Sequence, residues 1–361
     1  MHLVWLKLRN FRLYRQAEIR LAPGVNVVLG GNAQGKTSLL ESIYFLVAGR
    51  GLGAGQQLIS RQQPWTQVEA GALEGDARLV LRAALDRQRR RGHWINGVAT
   101  TPEEIYRLLP AVAFWPQDPV LVHGEPQWRR RFLDGLLSRL SRQYQADLKA
   151  YRRALVQRNA CLRAGRPTAV EPWEEELAAY GARLTRQRLE ALARLKSWAE
   201  EDYRALTGGG EYFSLEYRPR WLESPAADLE GQLLTALHRQ READRRLGHT
   251  RVGPHRDYFT LRIEGEEVRG WASRGQQKEV ALALRLAQAR LVAQALGKRP
   301  LLLLDDVFAE FDARRRRWLG QALVEWPQVL VTATDAALVP AECQPARTLE
   351  VEAGQVRVVS G

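Results

Sequence analysis

Gly30-Gly31-Asn32-Ala33-Gln34-Gly35-Lys36-Thr37 brackets four residues with glycines and follows the second glycine with a lysine and a threonine. Ahead of it, Val25 to Leu29 is a short β-branched apolar run; behind it, Ser38 to Val47 reads as a helix. A glycine-rich loop between strand and helix is the setting in which this motif cradles phosphate. The glycines let the backbone curl so that successive N–H groups face one anion, and the helix N-terminus adds partial positive charge. Lys36 is placed to reach β- and γ-phosphates, and the Thr37 hydroxyl to ligate Mg²⁺. The loop therefore implies a bound nucleoside triphosphate held by residues 30 to 38.

A loop of this kind needs a second carboxylate anchor, and Leu301-Leu302-Leu303-Leu304-Asp305-Asp306 supplies one. Four consecutive leucines describe a parallel strand buried on both faces. Open α/β sheets bind ligands at the C-terminal ends of such strands. Asp305 would hold Mg²⁺, directly or through water, and Asp306 would lie beside the γ-phosphate to orient a water. Taken alone, the two acids also fit a helix cap after a core strand.

Composition narrows the class. The chain has 361 residues, 45% hydrophobic and 26% charged, which excludes a disordered or fibrous protein. Its net charge is +13, and the excess is spread: 15 basic against 9 acidic residues in 1–120, 23 against 18 in 121–250, 16 against 14 in 251–361. A distributed positive field suits a long polyanion better than a small acidic substrate. Cys161 and Cys343 are far apart, so neither a disulfide scaffold nor a zinc site is implied. No apolar run reaches the roughly 20 residues that span a bilayer, and the first residues lack a signal peptide's apolar core. These features lead us to expect a cytoplasmic protein with no membrane partner.

Periodicity divides the chain. Leu3, Trp5, Leu8 and Phe11 read as a first strand with Ile19 and Leu21 on its partner; Val68 to Leu85 and His93 to Val98 read as hairpins, with Asn96-Gly97 as a tight turn. From Gln127 to Thr207 the period is helical, broken at Gly165 to Pro172, and a further helix is expected at Ala226 to Leu247. Strand character returns at Tyr258 to Ile263. Gln276 to Leu296 reads as an amphipathic helix, Ala313 to Val324 as another, and Val329 to Thr334 as the last core strand. The organisation is a discontinuous ATPase domain, 1–120 with 251–361, interrupted by a helical lobe, 121–250.

Four further stretches sharpen the reading. Ser273-Arg274-Gly275-Gln276-Gln277 is a polar turn opening a long helix; alone it is a helix cap, but about 30 residues before Asp305 it resembles the signature motif of ABC-type ATPases. Ala113 to Val122 resembles the ABC Q-loop, where Gln117 would touch Mg²⁺ and the attacking water. Ala309-Glu310-Phe311-Asp312 stands at the D-loop position. Thr332-Ala333-Thr334-Asp335 occupies the switch-histidine position with no histidine, which leaves Thr334 or Asp335 to serve and implies slow hydrolysis.

Over essentially its whole length the chain resembles the RecF family of bacterial replication and repair ATPases, relatives of SMC heads. The resemblance rests on Leu6-Lys7-Leu8-Arg9-Asn10-Phe11-Arg12, Gly124-Glu125-Pro126 with Arg129 to Asp134, Gln157-Arg158-Asn159, and above all Gly253-Pro254-His255-Arg256-Asp257. It implies an α/β fold, an ABC-type ATPase head of P-loop mixed sheet and helices plus an inserted helical lobe. It also implies ATP and Mg²⁺ as ligands and an ATP-dependent homodimer in which Ser273, Gly275 and Gln276 of one copy meet the γ-phosphate on the other. Asp306, Gln117 and Lys36 would be the catalytic residues. Expected partners are double-stranded DNA, ds/ss junctions, RecR and RecO, with localisation at the nucleoid and a part in loading the strand-exchange protein at gaps.

Candidate DNA contacts are Arg87, Arg89, Arg90 and Arg91, Arg129 and Arg130 with Arg131, Arg152 and Arg153, and Arg314 to Arg317. Two departures stand out. Gly51-Leu52-Gly53 replaces the family's Ser-aromatic-Arg, with Arg50 the candidate substitute, and Tyr258 replaces a second acid after Asp257. The competing readings are the nucleotide-binding subunit of an ABC transporter and a P-loop phosphotransferase.

Overall fold

The computed structural model describes residues 1–52, 55–165, 169–223 and 228–360. In chain order the first part contains β1 (His2–Phe11), β2 (Tyr14–Arg20), β3 (Gly24–Leu29), α1 (Lys36–Ala48), β4 (Trp65–Glu74), β5 (Ala77–Asp86), β6 (Arg91–Ile95), β7 (Val98–Thr100), α2 (Pro102–Leu108) and β8 (Ala111–Phe114). The middle contains α3 (Val120–His123), α4 (Pro126–Leu140), α5 (Arg142–Arg163), α6 (Glu171–Thr207), β9 (Phe213–Glu216), α7 (Leu229–Leu247), β10 (Thr260–Ile263) and β11 (Glu266–Glu267). The last part contains α8 (Arg274–Leu296), β12 (Leu301–Leu304), α9 (Ala313–Val324), β13 (Gln328–Ala333), β14 (Arg347–Glu352) and β15 (Gln355–Ser360).

The chain forms two compact units, Met1–Asp118 with Asp202–Gly210 and Arg274–Gly361, and Pro119–Glu201 with Glu211–Ser273. The sequence boundaries place 251–273 with the ATPase halves, whereas these residues lie in the second unit, and 202–210, expected in the helical lobe, lie in the first. For 251–273 the reason is pairing: β10 is antiparallel to β9, register Leu261 to Leu215.

The first unit holds two six-stranded sheets. One runs β2-β1-β4-β5-β6-β7 and is antiparallel; the other runs β15-β14-β3-β13-β12-β8. In the second, β12 is parallel to both β13 and β8, and β3 is parallel to β13 and β14. The four leucines of β12 are buried, as a central strand covered on both faces requires. Helix α1 joins the two sheets: Leu39, Leu40, Ile43 and Leu46 share one core with Leu6, Leu8, Val68 and Leu81 and with Val28, Leu303 and Leu330.

Several expectations need correction. In β1 a register shift between Leu3 and Trp5 changes the phase, so Leu6 rather than Trp5 faces the core. Helix α8 is not amphipathic: Val280 to Leu284, Leu286, Ala287, Ala289, Leu291 and Val292 are all buried, so apolar residues cover most of its circumference. Val329 to Thr334 is not the last core strand either; β14 follows and pairs with β3 on its far side. Residues 226 and 227 of the helix expected at Ala226 to Leu247 lie outside the described residues.

Candidate nucleotide-binding site

Sheet order assembles the site. The loop after β3, the end of β13 and the loop after β12 emerge side by side, because β13 lies between β3 and β12. In the loop, Gly30 has φ +153° and a Cβ there would meet the Val351 carbonyl oxygen at 2.3 Å. Gly35 has φ +121° and carries the Tyr14 hydroxyl, which donates to its carbonyl at 3.0 Å. Neither position accepts a side chain without moving backbone or a packed ring. Gln34 is clamped from the β14–β15 turn: its Oε1 accepts from Ala353 N at 2.7 Å and its carbonyl from Gly354 N at 3.1 Å.

Lys36 is buried, and its Nζ donates to the carbonyls of Gly30 at 2.6 Å and Gly31 at 2.8 Å. Burial lowers its pKa, opposed by the charges of Asp306 and Asp305. Thr37 Oγ1 donates to Asp305 Oδ2 at 2.7 Å. On the other oxygen, Thr332 Oγ1 donates to Asp305 Oδ1 at 2.8 Å and accepts from Asp306 N at 2.8 Å. Burial raises the Asp305 pKa, and the two hydroxyl donors pull it back down. Asp306 sits in the left-handed region at φ +49°, a costly conformation for a residue with a side chain. Its Oδ1 is buried with no hydrogen-bond partner.

These groups face a cleft of about 690 Å³ in the first unit. Its lining includes Asn32, Ala33, Gly35, Lys36, Thr37, Ser38, Asp305 and Asp306, together with Arg12, Arg15 and Arg61. The donor set offered to a cation is a threonine hydroxyl and a carboxylate, all oxygen, which fits Mg²⁺ completed by phosphate and water. Such an arrangement can hold a triphosphate and bind a cation beside it, with the Asp306 carboxylate in the cleft wall.

Other expected residues stand apart from that wall. Gln117 is exposed, one residue beyond Pro116, which does line the cleft. Gly275 is exposed and Gln276 half-buried at the start of α8, and Ser273 is exposed in the second unit. Thr334 and Asp335 are exposed, and Asp335 is spent accepting from Ala337 N at 2.9 Å; the buried residue that touches the site is Thr332. Arg50 is exposed, with a hydrogen bond to the Tyr44 hydroxyl, and is not among the residues lining the cleft. The cleft's arginines come from elsewhere, and Arg12 is itself fixed by Glu41, which also accepts from Leu52 N at 2.7 Å. Gly53 lies outside the described residues.

The arginine clusters divide as well. Arg129 is 1% exposed, donates to the Val122 carbonyl at 3.0 Å and lies 5.2 Å from the Tyr258 ring, so it cannot touch a polyanion. Tyr258, where the family carries an acid, thus offers an aromatic face to a cation. Arg87 donates to the Gln63 carbonyl, Arg90 pairs with Asp86, and Arg91 donates to the Gly49 carbonyl at 2.7 Å. All three, with Arg89, are exposed, as are Arg152 and Arg153; Arg130 is half-buried. Arg315 pairs with Asp312 and Glu279.

The signature-like segments of the second unit converge on one buried network. Arg158, with no exposure, binds Glu174 and Asp244 at 2.8 Å each and the Thr250 hydroxyl at 2.8 Å. Asn159 accepts from Thr250 N at 2.8 Å. Arg188 binds Asp134 at 2.7 Å and the Pro254 carbonyl at 2.7 Å. His255 Nε2 faces the Thr250 carbonyl at 3.1 Å and Nδ1 the Tyr151 hydroxyl at 2.7 Å, which makes Nε2 the protonated nitrogen. Burial lowers its pKa to about 4, so it is neutral and structural.

Comparison with known proteins follows the same lines. The family model described as the RecF/RecN/SMC N terminal domain matches residues 2–356. A DNA replication and repair protein RecF from Symbiobacterium thermophilum is 39% identical, over 99% of this chain and 98% of that protein. A solved structure of "the recombination mediator protein RecF-ATPrS in RecFOR pathway" superposes with TM-score 0.87 at 26% identity, covering 99% of this chain and 98% of that one. An Smc head domain from Pyrococcus furiosus shares the fold, with TM-score 0.59 at 15% identity, covering 100% and 96%. Among the described residues no helix is long and apolar enough to cross a membrane. The chain belongs to the RecF family, within the RecF/RecN/SMC group of ABC-type ATPases.

Proposed function

We propose that this chain is an ATP-gated DNA clamp of recombinational repair. The observation that carries the reading is the convergence of Lys36, Thr37, Asp305 and Asp306 on one cleft, with Asp306 Oδ1 buried and unpartnered. Lys36 leaves the Gly30 and Gly31 carbonyls for the β- and γ-phosphate oxygens of ATP, a stronger, charge-assisted pairing. Thr37 and Asp305 hold Mg²⁺, which neutralises developing charge on the phosphates. Asp306 orients the attacking water, with Gln117 closing on it once nucleotide is bound. Ser273, Gly275 and Gln276 of a second copy meet the γ-phosphate, so ATP joins two copies around duplex DNA and hydrolysis releases them.

The γ-phosphate biases the open–closed equilibrium only by its differential contacts in the two states. Slow, DNA-stimulated turnover suits a switch more than a motor. The DNA is expected to be duplex or a ds/ss junction, and the partners RecR and RecO. Phosphate release and ATP affinity measured with and without duplex DNA test this directly. Lys36→Met should abolish ATP binding, while Asp306→Asn should keep binding and lose turnover. Wild-type turnover by Asp306→Asn would refute the assignment of the water-orienting role.

A further inference from the structure

Two clefts stand out among the described residues of the second unit. The larger, about 1140 Å³, is nearly balanced in charge, its five arginines facing four carboxylates that include Glu216, Glu223 and Asp257. The smaller, about 160 Å³, is not. It sets Arg130, Arg131, Arg152 and Arg188 around a single carboxylate, Asp134. Asp134 is already committed: it accepts from the Tyr144 hydroxyl at 2.7 Å, from Arg188 at 2.7 Å and from Arg152 at 3.2 Å. The Arg130 guanidinium donates to the Arg256 carbonyl at 3.3 Å, and that of Arg131 lies 5.4 Å from the Trp128 ring. Neither contact neutralises charge, and His255 in the wall is neutral. Burial, then the nearby Arg188 and Arg256, lower the Arg130 pKa, against the opposing pull of the Asp134 and Asp257 carboxylates.

Four guanidinium groups around one committed carboxylate, with Arg131 and Arg152 exposed at the mouth, leave an excess of positive charge that an entering anion would offset. Planar guanidinium forks match phosphate oxygens in pairs. The volume is well below that of pockets enclosing whole small molecules, so the site takes one phosphate group and leaves its substituents outside. We propose that this cleft, between α4, α5 and the Gly253–Asp257 turn, binds a backbone phosphate of DNA. Arg153, exposed and next to Arg152 on α5, continues the positive face beyond the cleft.

The proposal rests on the DNA-clamp reading, and the test separates the two. Full-length protein with a non-hydrolysable ATP analogue and Mg²⁺ is titrated into labelled duplex across a KCl series. Arg131→Gln/Arg152→Gln is compared with Arg245→Gln/Arg246→Gln, an equal charge change on the exposed face of α7. The first variant should lose about tenfold in affinity and flatten the salt slope by about one, the signature of a lost phosphate contact. The control should keep the wild-type slope. Equal loss in both variants overturns the site in favour of a diffuse field, and no loss in either overturns it while leaving the clamp standing. Wild-type protein that binds no duplex in any nucleotide state overturns both. Calorimetry with inorganic phosphate alone is the last arm: binding lost in Arg131→Gln/Arg152→Gln with duplex affinity unchanged would make this a free-phosphate site and overturn the DNA assignment.

Discussion

Thr332→Val is the substitution whose consequences the structure specifies most closely. It keeps the β-branched shape that β13 favours and removes one hydroxyl, which donates to Asp305 Oδ1 and accepts from Asp306 N, both at 2.8 Å. A hydrogen bond to an ionised group contributes about 1.5–3 kcal/mol, and a buried N–H left unpaired costs about 1–3 kcal/mol. The two overlap, so we expect a stability loss of about 2–4 kcal/mol. The functional effect should be selective. Thr332 is a positioning residue: it fixes the orientation of the carboxylate assigned to Mg²⁺, and losing such a partner typically weakens a metal site about 10- to 100-fold. Calorimetry with an ATP analogue should show that drop with Mg²⁺ present and a change within about twofold with Mg²⁺ removed, because Thr332 is not part of the loop that cradles phosphate. Equal loss with and without Mg²⁺, or none at all, would refute the role given to Thr332.

Other perturbations probe separate parts of the molecule. Arg158→Met leaves Asp244 buried beside an uncharged side chain and Glu174 with Arg241 as its remaining arginine partner, which should cost about 3–5 kcal/mol in chemical denaturation; under about 1 kcal/mol would mean the network is not the second unit's polar core. Gly30→Ala forces a Cβ against the Val351 carbonyl at a φ only glycine adopts comfortably, so ATP affinity should fall at least about 100-fold while the helical unit melts normally. Acidification tests His255, whose pKa falls from 6.5 to about 4 on folding. The neutral ring is the folded form, so its contribution is intact above pH 6.5 and is lost as pH falls towards 4, by about 2 kcal/mol between 6.5 and 5. Asp257, which burial raises to about 6, acts in the opposite sense over the same range. His255→Gln should therefore flatten or invert the acid loss measured by urea unfolding, and an unchanged pH profile would contradict the neutral, buried ring.

The features legible in the sequence were those encoded locally. The loop at Gly30 to Thr37 carries its own spacing, and four leucines before Asp305 announce a strand buried on both faces whatever surrounds it. Thr332 stands in the switch segment, but no local pattern marks its role: that comes from β13 lying between β3 and β12, an order set by tertiary structure. The β14–β15 hairpin offered only short alternating runs such as Leu349 and Val351, yet its turn clamps Gln34. Arg129 shares a charge run with Arg130 and Arg131, and only the folded unit shows that one of the three is buried beneath Tyr258. Arg12 belongs to a family-like opening, but nothing local marks it as a cleft residue, because β1–β2 reaches the cleft through tertiary packing alone.

In the proposed clamp, ATP held at Lys36, Thr37 and Asp305 joins two copies through Ser273 and Gly275. Light scattering against nucleotide tests it most directly, with wild type, Lys36→Met and Ser273→Arg compared at one concentration. The 41.0 kDa chain should double in mass with ATP and Mg²⁺, stay single with ADP, and stay single for both variants with ATP. A wild-type chain that binds ATP yet remains single in every state, or a Ser273→Arg variant that dimerises normally, would contradict it.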